Sequence, residues 1–481
     1  MSAGLVERLD RVVGDSIERA MSAHHRRRLR RVGWEHALSA ADARWAIGGE
    51  PPRAGSAIEV LVDGEEALTR MAEAIASARS RVHIAGWCIT PDFTMSAGPP
   101  PVILRELLAD AARRVPVRVL LWGGAPLPLY PVSRRAVRGI RDALCKGNDI
   151  KCALDTHERP LHCHHEKLVI IDDELAFVGG IDLTDFAGNR LDRPGHPPRG
   201  SLGWHDVATV VRGPAVADVA RHFNLRWHEA AGERLPPPSE PAPAGDDELQ
   251  IVRTVPERIY KALPRGEFSI LASYVGALRS AEHLIYLENQ FLWSAEIVEI
   301  LGEKLRNPPS DRFRLLVVLP AKPNSGADDT TGQLGLLADA DDGAGRMLAC
   351  TRYAVGDGTS DRVYVHAKVG MVDDRWLTVG SANLNEHSLF NDTEMNVVSH
   401  SPALARQARL RLWAEHLARP AETLEGDPAT LIDEVWRPLA AEQLERRKAG
   451  AQLTHGVVGL AHVSRRSKRL LGPLQSLLVD G

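Results

Sequence analysis

Two segments of this chain, 201 residues apart, carry one pattern, H-x-K-x4-D-x6-G-[GS]. In the first, His165, Lys167 and Asp172 stand in HEKLVIID, with Gly179 and Gly180 following; in the second, His366, Lys368 and Asp373 stand in HAKVGMVD, with Gly380 and Ser381 following. Matching residue types at matching spacing, twice, is hard to obtain by chance. It constrains the 481-residue chain to two copies of one structural unit.

The flanking sequence repeats in the same order. A helical stretch (Glu65 to Ser80) precedes strand-like RVHIAGW from Arg81, then come VPVRVLLW from Val115, Lys167 to Ile171, Ala176 to Val178, VATVV from Val207 and a helix from Ala215 to Ala230. The second half gives LIYLEN, FRLLVVL from Phe313, Val369 to Val372, Leu377 to Val379, Asn396 to Val398 and a helix from Pro402 to Ala418. Strands alternating with helices predict an α/β fold. The expected architecture is two pseudo-symmetric lobes, each a mixed β-sheet flanked by helices. Between the halves, LPPPSEPAPAGDD from Leu235 to Asp247 is too rich in proline for a helix or a central strand. The expected division is an N-terminal helical extension (1–55), a first lobe (56–234), a Pro-rich linker (235–247), a second lobe (248–440) and a C-terminal tail (441–481).

Side chains two apart on a strand share a face, so His165 and Lys167 should point one way, as should His366 and Lys368. The apolar runs that follow belong to buried strands, and Asp172 and Asp373 fall at the strand ends. Two imidazoles and two ammoniums suit phosphodiester cleavage, which needs a nucleophile, a proton for the leaving alcohol and cations on the non-bridging oxygens. Imidazole can serve the first two needs at neutral pH. Lysine supplies the charge other enzymes take from metals, so no metal or other cofactor is expected. Asp172 and Asp373 are expected behind the imidazoles, each fixing a tautomer and stabilising the charged form. A single HxK on a strand is more often an exposed pair than a catalyst; two copies in register reverse that preference.

These cassettes resemble, residue by residue, the HKD signature of the phospholipase D superfamily. The resemblance spans roughly Ile84 to Ala418. It extends to IYLENQF from Ile285 to Phe291, similar to the IYIENQ-type motif of phosphatidylcholine-cleaving members, and to Trp204, His205 and Asp206, similar to their WHD segment. Asn383 matches the asparagine of GSxN, and Glu394 in NDTEMN resembles the acidic residue after the second cassette. Asp182 departs from simpler members, which have asparagine there. The resemblance implies a bilobal fold with one active site at the interface and a covalent phosphohistidine intermediate resolved by water or an alcohol. It favours His165 as the nucleophile and His366 as the acid. It also marks Gly180, Asn289, Ser381, Asn383 and Glu394 as substrate-binding positions, and a phospholipid at a membrane surface as the partner. Rival readings are a cardiolipin synthase-type phosphatidyltransferase, a nuclease and a lipid-binding scaffold without turnover.

A formal net charge of -4 gives no global attraction for nucleic acid. Five cysteines without CxxC spacing suggest neither a disulfide framework nor structural zinc. HCHH, from His162 to His165, invites a metal reading, but strand alternation would divide it between two faces. Asp339, Asp341, Asp342 and Gly343 imitate the start of a calcium loop without its closing glutamate. The run from Lys322 to Gly345 reads as a surface loop near the site entrance. No apolar stretch reaches a membrane-spanning length and the first residues do not form a secretory signal, so the expectation is a cytoplasmic monomer with peripheral membrane contact as an option. The basic run HHRRRLRR from His24 to Arg31 is a solvated helix packed on the body or a membrane-surface contact, and Arg465, Arg466, Lys468 and Arg469 could act likewise. Trp34 and Trp45 read as core.

Overall fold

A computed structural model describes residues 3–39, 44–126, 132–159, 162–186, 191–322, 327–356 and 358–460. The two halves build the same sheet. In the first, β1 (Arg53–Val62), β2 (Val82–Gly86), β3 (Val117–Trp122), β4 (Lys151–Asp155), β5 (Leu168–Ile171), β6 (Leu175–Gly179) and β7 (Val207–Arg212) lie in the order β4-β3-β2-β5-β6-β7-β1. In the second, β8 (Asp247–Val255), β9 (Leu284–Glu288), β10 (Arg314–Val318), β11 (Met347–Gly356), β12 (Val369–Val372), β13 (Trp376–Gly380) and β14 (Glu394–Ser399) lie in the order β11-β10-β9-β12-β13-β14-β8. In both, the second, third and fourth strands of the half run parallel and the rest pair antiparallel. The expected α/β fold of two pseudo-symmetric mixed sheets is what the chain forms.

Composition accounts for the central strands. LVII in β5 and VGMV in β12 are buried on both faces, which matches their unbroken apolar runs better than an alternating pattern would. Helices cover the sheets: α1 (Ala215–Ala231) packs Val216, Val219, Ala220, Phe223 and Trp227 on the first, and α2 (Pro402–Leu417) packs Leu412 and Trp413 on the second. Burial of each such large apolar side chain contributes about 1.5–3 kcal/mol. The sheets also touch each other. β1 meets β8 at Arg53 and Ser56, and a short strand, Gly203–His205, pairs in parallel with Thr359–Val365 of the second half.

Two expectations need correction. The run from Lys322 to Gly345 is not a loop throughout, because Ala327–Asp341 is a helix. Its Gly, Asp and Ala content hides the periodicity. Asp341 at its end accepts the backbone N–H groups of Gly345 and Arg346, each at 3.0 Å, so this acidic run closes a helix. The segment after residue 440 is more than a tail: a helix (Arg437–Lys448) leads to Val457–Gly459, which pairs with β11 and widens the second sheet. Arg465, Arg466, Lys468 and Arg469 lie outside the described residues.

The N-terminal helix (Ala3–Val32) docks on the second half. Leu29 and Trp34 are buried with Phe268, Ile270 and Leu271, while Trp45 is partly buried against that same cluster. Within HHRRRLRR, His25, Arg28 and Leu29 are buried and Arg28 pairs with Glu257 at 2.7 Å, whereas Arg26, Arg27, Arg30 and Arg31 stay exposed. The run is a docked helix with one basic face left to solvent.

Candidate active site

His165 and Lys167 lie in the extended lead-in to β5, and His366 and Lys368 in that to β12. The residue between His and Lys faces the other way. Glu166 turns to α1, where it pairs with Arg226 and accepts a hydrogen bond from His222 at 2.8 Å. Ala367 occupies the same position in the second half and is buried among apolar neighbours.

Each imidazole finds its carboxylate in the opposite half. His165 Nδ1 lies 2.9 Å from Glu394 Oε1, and His366 Nδ1 lies 2.6 Å from Asp206 Oδ2. The two carboxylates are structural equivalents. Gly179 pairs with Ala208 and Gly380 with Asn396, so Asp206 and Glu394 each sit two residues earlier at the head of the seventh strand. Backbone contacts fix the crossing: His165 N–H donates to Thr393 at 2.9 Å and His366 N–H to His205 at 2.8 Å.

Asp172 and Asp373, expected behind the imidazoles, do another job. Asp172 accepts the backbone N–H groups of Arg79 (2.9 Å), Ser80 (2.6 Å) and Arg81 (2.9 Å). Asp373 accepts those of Glu282 (2.7 Å), His283 (2.8 Å) and Leu284 (2.7 Å). Each aspartate thus pins the chain entering β2 or β9 against the hairpin that follows the cassette. Asp172 and Asp173, and Asp373 with Asp374, have positive φ, a conformation aspartate tolerates. Burial works against a charge at Asp172, but its hydrogen bonds from Arg81, Arg79 and Ser80 outweigh it and hold the carboxyl below its usual range.

The other expected positions divide. Gly180 leaves room for the carboxylate behind His366, since a Cβ there would fall 2.1 Å from Asp206 Oδ1. Its counterpart Ser381 fills that space and donates to Glu394. Ser388 adds a second hydroxyl to Glu394 at 2.6 Å. Ser381 and Glu394, expected to touch substrate, are thus linked to each other and, through Glu394, to His165. Asn289 spends its carboxamide oxygen on the N–H groups of Phe291 and Leu384, at 3.2 and 3.1 Å. Asn383 donates to Gln290 at 3.4 Å, and the same Gln290 oxygen accepts from Lys368 at 3.2 Å. Gln290 and Asp182, which lies 3.4 Å from Lys167, are the lysine partners that spacing alone did not assign. Gln290 stands in IYLENQF, and Asp182 lies two residues after Gly180.

The charges of the two halves act on one another. Burial pushes the Lys368 ammonium down to about 7; Asp206 opposes that, Lys167 adds to it, and Asp182 and Glu394 also oppose it. Burial likewise pushes Glu394 up to about 8, against the charge of Lys167 and the hydrogen bonds from Ser381 and Ser388. Trp204 stacks on Tyr364 at 4.8 Å and lies 5.1 Å from His366, giving that imidazole an aromatic wall.

Behind Asp206 stands a buried network. His205 Nδ1 meets Asp63 and Nε2 meets Glu288, each at 2.8 Å, and His416 also reaches Glu288 at 2.8 Å. Burial disfavours a charge on His205, but Asp63 and Glu288 overcome it and hold the imidazole well above its ordinary value. HCHH separates as alternation requires: His164 goes to Thr393 at 2.8 Å, His165 to Glu394 and His162 to His387 at 3.0 Å.

Comparison with known proteins agrees with this geometry. A family model described as Phospholipase D matches residues 350–451. Phospholipase D A of Dictyostelium discoideum is 27% identical over 76% of this chain and 36% of its own length. Phospholipase D1 of Schizosaccharomyces pombe is 24% identical over 78% of this chain and 36% of its own, and phospholipase D2 of Bos taurus is 24% identical over 72% and 50%. Over most of its length the chain is similar to phospholipase D proteins. It spans a third to a half of the length of these relatives. The crystal structure of a phosphatidylserine synthase from Haemophilus influenzae shares the fold, with a TM-score of 0.52 at 11% identity, over 82% of this chain and 95% of that one. Among the described residues, no helix is long and apolar enough to cross a membrane.

Proposed function

We propose that this chain is a phospholipase D-type phosphodiesterase that hydrolyses glycerophospholipids or exchanges their head groups. The observation that carries the reading is the reciprocal pairing of His165 with Glu394 and His366 with Asp206, which gives each imidazole a carboxylate on Nδ1 and assigns the reaction to Nε2. His165 Nε2 attacks phosphorus and the bond to the head-group oxygen breaks. His366 protonates the leaving alcohol. It then takes a proton from water or a primary alcohol, whose oxygen attacks phosphorus as the P–N bond breaks and His165 is released neutral. Lys167 and Lys368 neutralise the non-bridging oxygens, and no metal enters the step. The phospholipid is presented at a membrane surface to a cytoplasmic, peripherally bound protein acting as a monomer.

Purified protein is assayed on a panel of glycerophospholipids in mixed micelles, with and without ethanol. Phosphatidic acid in water, and phosphatidylethanol when ethanol is present, are expected. A phosphatidyltransferase would instead give product only with a glycerophosphate-bearing or polyol acceptor, and a scaffold would bind vesicles without turnover. Product formation equal in wild type and His165→Ala would sink the reading.

A further inference from the structure

We propose that His162, His387 and Asp392 form a binding site for one divalent transition-metal ion of the zinc type, beside the phosphodiesterase centre and distinct from it. Their three donor atoms lie within 4.8 Å of one another. His162 Nδ1 is 3.0 Å from His387 Nδ1 and 3.4 Å from Asp392 Oδ1. Two ligands at zinc-to-nitrogen distance and tetrahedral angle sit about 3.3 Å apart, so the two separations from His162 need shifts of only a few tenths of an ångström. Two Nδ1 atoms at 3.0 Å cannot both carry a proton. At least one lone pair already points into the cluster.

The surroundings hold the ligands independently of an ion. Cys163 N–H donates to Asp392 Oδ1 at 2.9 Å, and Asp392 N–H donates to His387 at 2.8 Å. The other carboxylate oxygen, Asp392 Oδ2, is buried without a hydrogen-bond partner and is available as a ligand. His387 opens a π-helix (His387–Asn391), a widened turn that often marks a functional position. His162 keeps 18% of its side chain exposed, which gives an entry path and an open coordination position for water.

Three other groupings of histidine and carboxylate lack this convergence. His25 directs Nδ1 to Glu296 and Nε2 to Glu386, so one ion cannot take both contacts. His205 likewise uses opposite nitrogens for Asp63 and Glu288, and its two groupings share that buried, charged imidazole. Of these groupings, the cluster at His162 has two imidazole nitrogens in direct contact, His162 Nδ1 and His387 Nδ1 at 3.0 Å.

The site's consequence follows from its place. His162 belongs to the first half, three residues before His165, while His387 and Asp392 belong to the second, just before Glu394. An ion would fasten the two segments whose contact pairs His165 with Glu394. It would stabilise the folded chain by mass action rather than enter the phosphate chemistry.

The test uses the full chain stripped with a chelator and titrated with ZnCl2 by calorimetry, with Co2+ as a visible probe of coordination. One equivalent of Zn2+, a raised Tm and the absorption bands of low-coordinate Co2+ are expected. His162→Gln, at a partly exposed position, and Asp392→Asn should each weaken binding at least tenfold and abolish the Tm rise. Far-UV circular dichroism checks that both variants fold. No zinc uptake by wild type at micromolar concentration would overturn the site, as would His162→Gln binding as tightly as wild type. The readout is binding, so failure of the proposed phosphodiesterase activity leaves this test intact.

Discussion

His366 and Asp206 meet at 2.6 Å although 160 residues and the boundary between the two sheets separate them. Neither half can complete its own imidazole, so the pairing makes the site a property of both together. Asp206→Asn and Glu394→Gln keep the shape but replace an acceptor with a group that can present the wrong tautomer. Each should lower kcat by roughly 10²–10⁴-fold while circular dichroism and Tm change little. Rates near wild type in both would refute the positioning role.

The cassette aspartates should behave differently. Asp172→Ala and Asp373→Ala each leave three backbone N–H groups without their acceptor, at a cost of about 1–3 kcal/mol. Urea unfolding should show the loss, and kcat of the protein that remains folded should fall far less than in Asp206→Asn. The folded Asp172 carboxyl lies below its unfolded value, so its contribution is full above the unfolded value and disappears as pH falls through the folded one. An Asp172→Ala variant that matches wild type in urea would contradict this.

Burial sets the alkaline limit of the reaction. Lys368 sits near pH 7, and only its protonated form attracts phosphate oxygens. The free-enzyme profile, kcat/KM against pH, should therefore fall as pH rises through about 7. Bound phosphate favours the ammonium, so the limb in kcat should lie at higher pH. A flat kcat/KM between pH 6 and 9 would exclude Lys368 as the titrating clamp.

Chelation separates the two roles of metal. The phosphate clamp is built from Lys167 and Lys368, so turnover on a soluble phosphodiester should persist in EDTA even where Tm falls. Loss of turnover that a divalent ion restores would overturn the lysine clamp.

Much of this arrangement is legible in the sequence, because buried strands announce themselves as apolar runs and the cassettes bracket them. LVII and VGMV give β5 and β12 to within a residue. Spacing cannot say which N–H or imidazole a carboxylate meets. Asp172 lies only a few residues from His165 in the chain, yet its partners enter some 90 residues earlier, at Arg79 to Arg81. The exchange of carboxylates between halves is equally invisible, since a repeat predicts two similar units and leaves open how they face each other. The helix at Ala327–Asp341 is masked by residues that favour turns, and the strand Val457–Gly459 is too short to register as a period.

The two imidazoles differ in one respect that bears on which of them attacks. Burial pushes Glu394, behind His165, up to about 8, against the charge of Lys167 and the hydroxyls of Ser381 and Ser388. Its ionised form accepts the Nδ1 proton of His165, which turns the Nε2 lone pair to the attack. His366 stands against Trp204 and beside Asp206, a setting that can hold a proton until the leaving alcohol takes it. Removing an acid matters least when the leaving group departs without help. With a nitrophenyl ester, His366→Ala should still form the phosphoryl adduct in a single turnover, whereas His165→Ala should form none. Rapid quench followed by digestion and mass spectrometry should place the adduct on His165. An adduct on His366 would reverse the roles and would require Asp206, rather than Glu394, to serve the attacking ring.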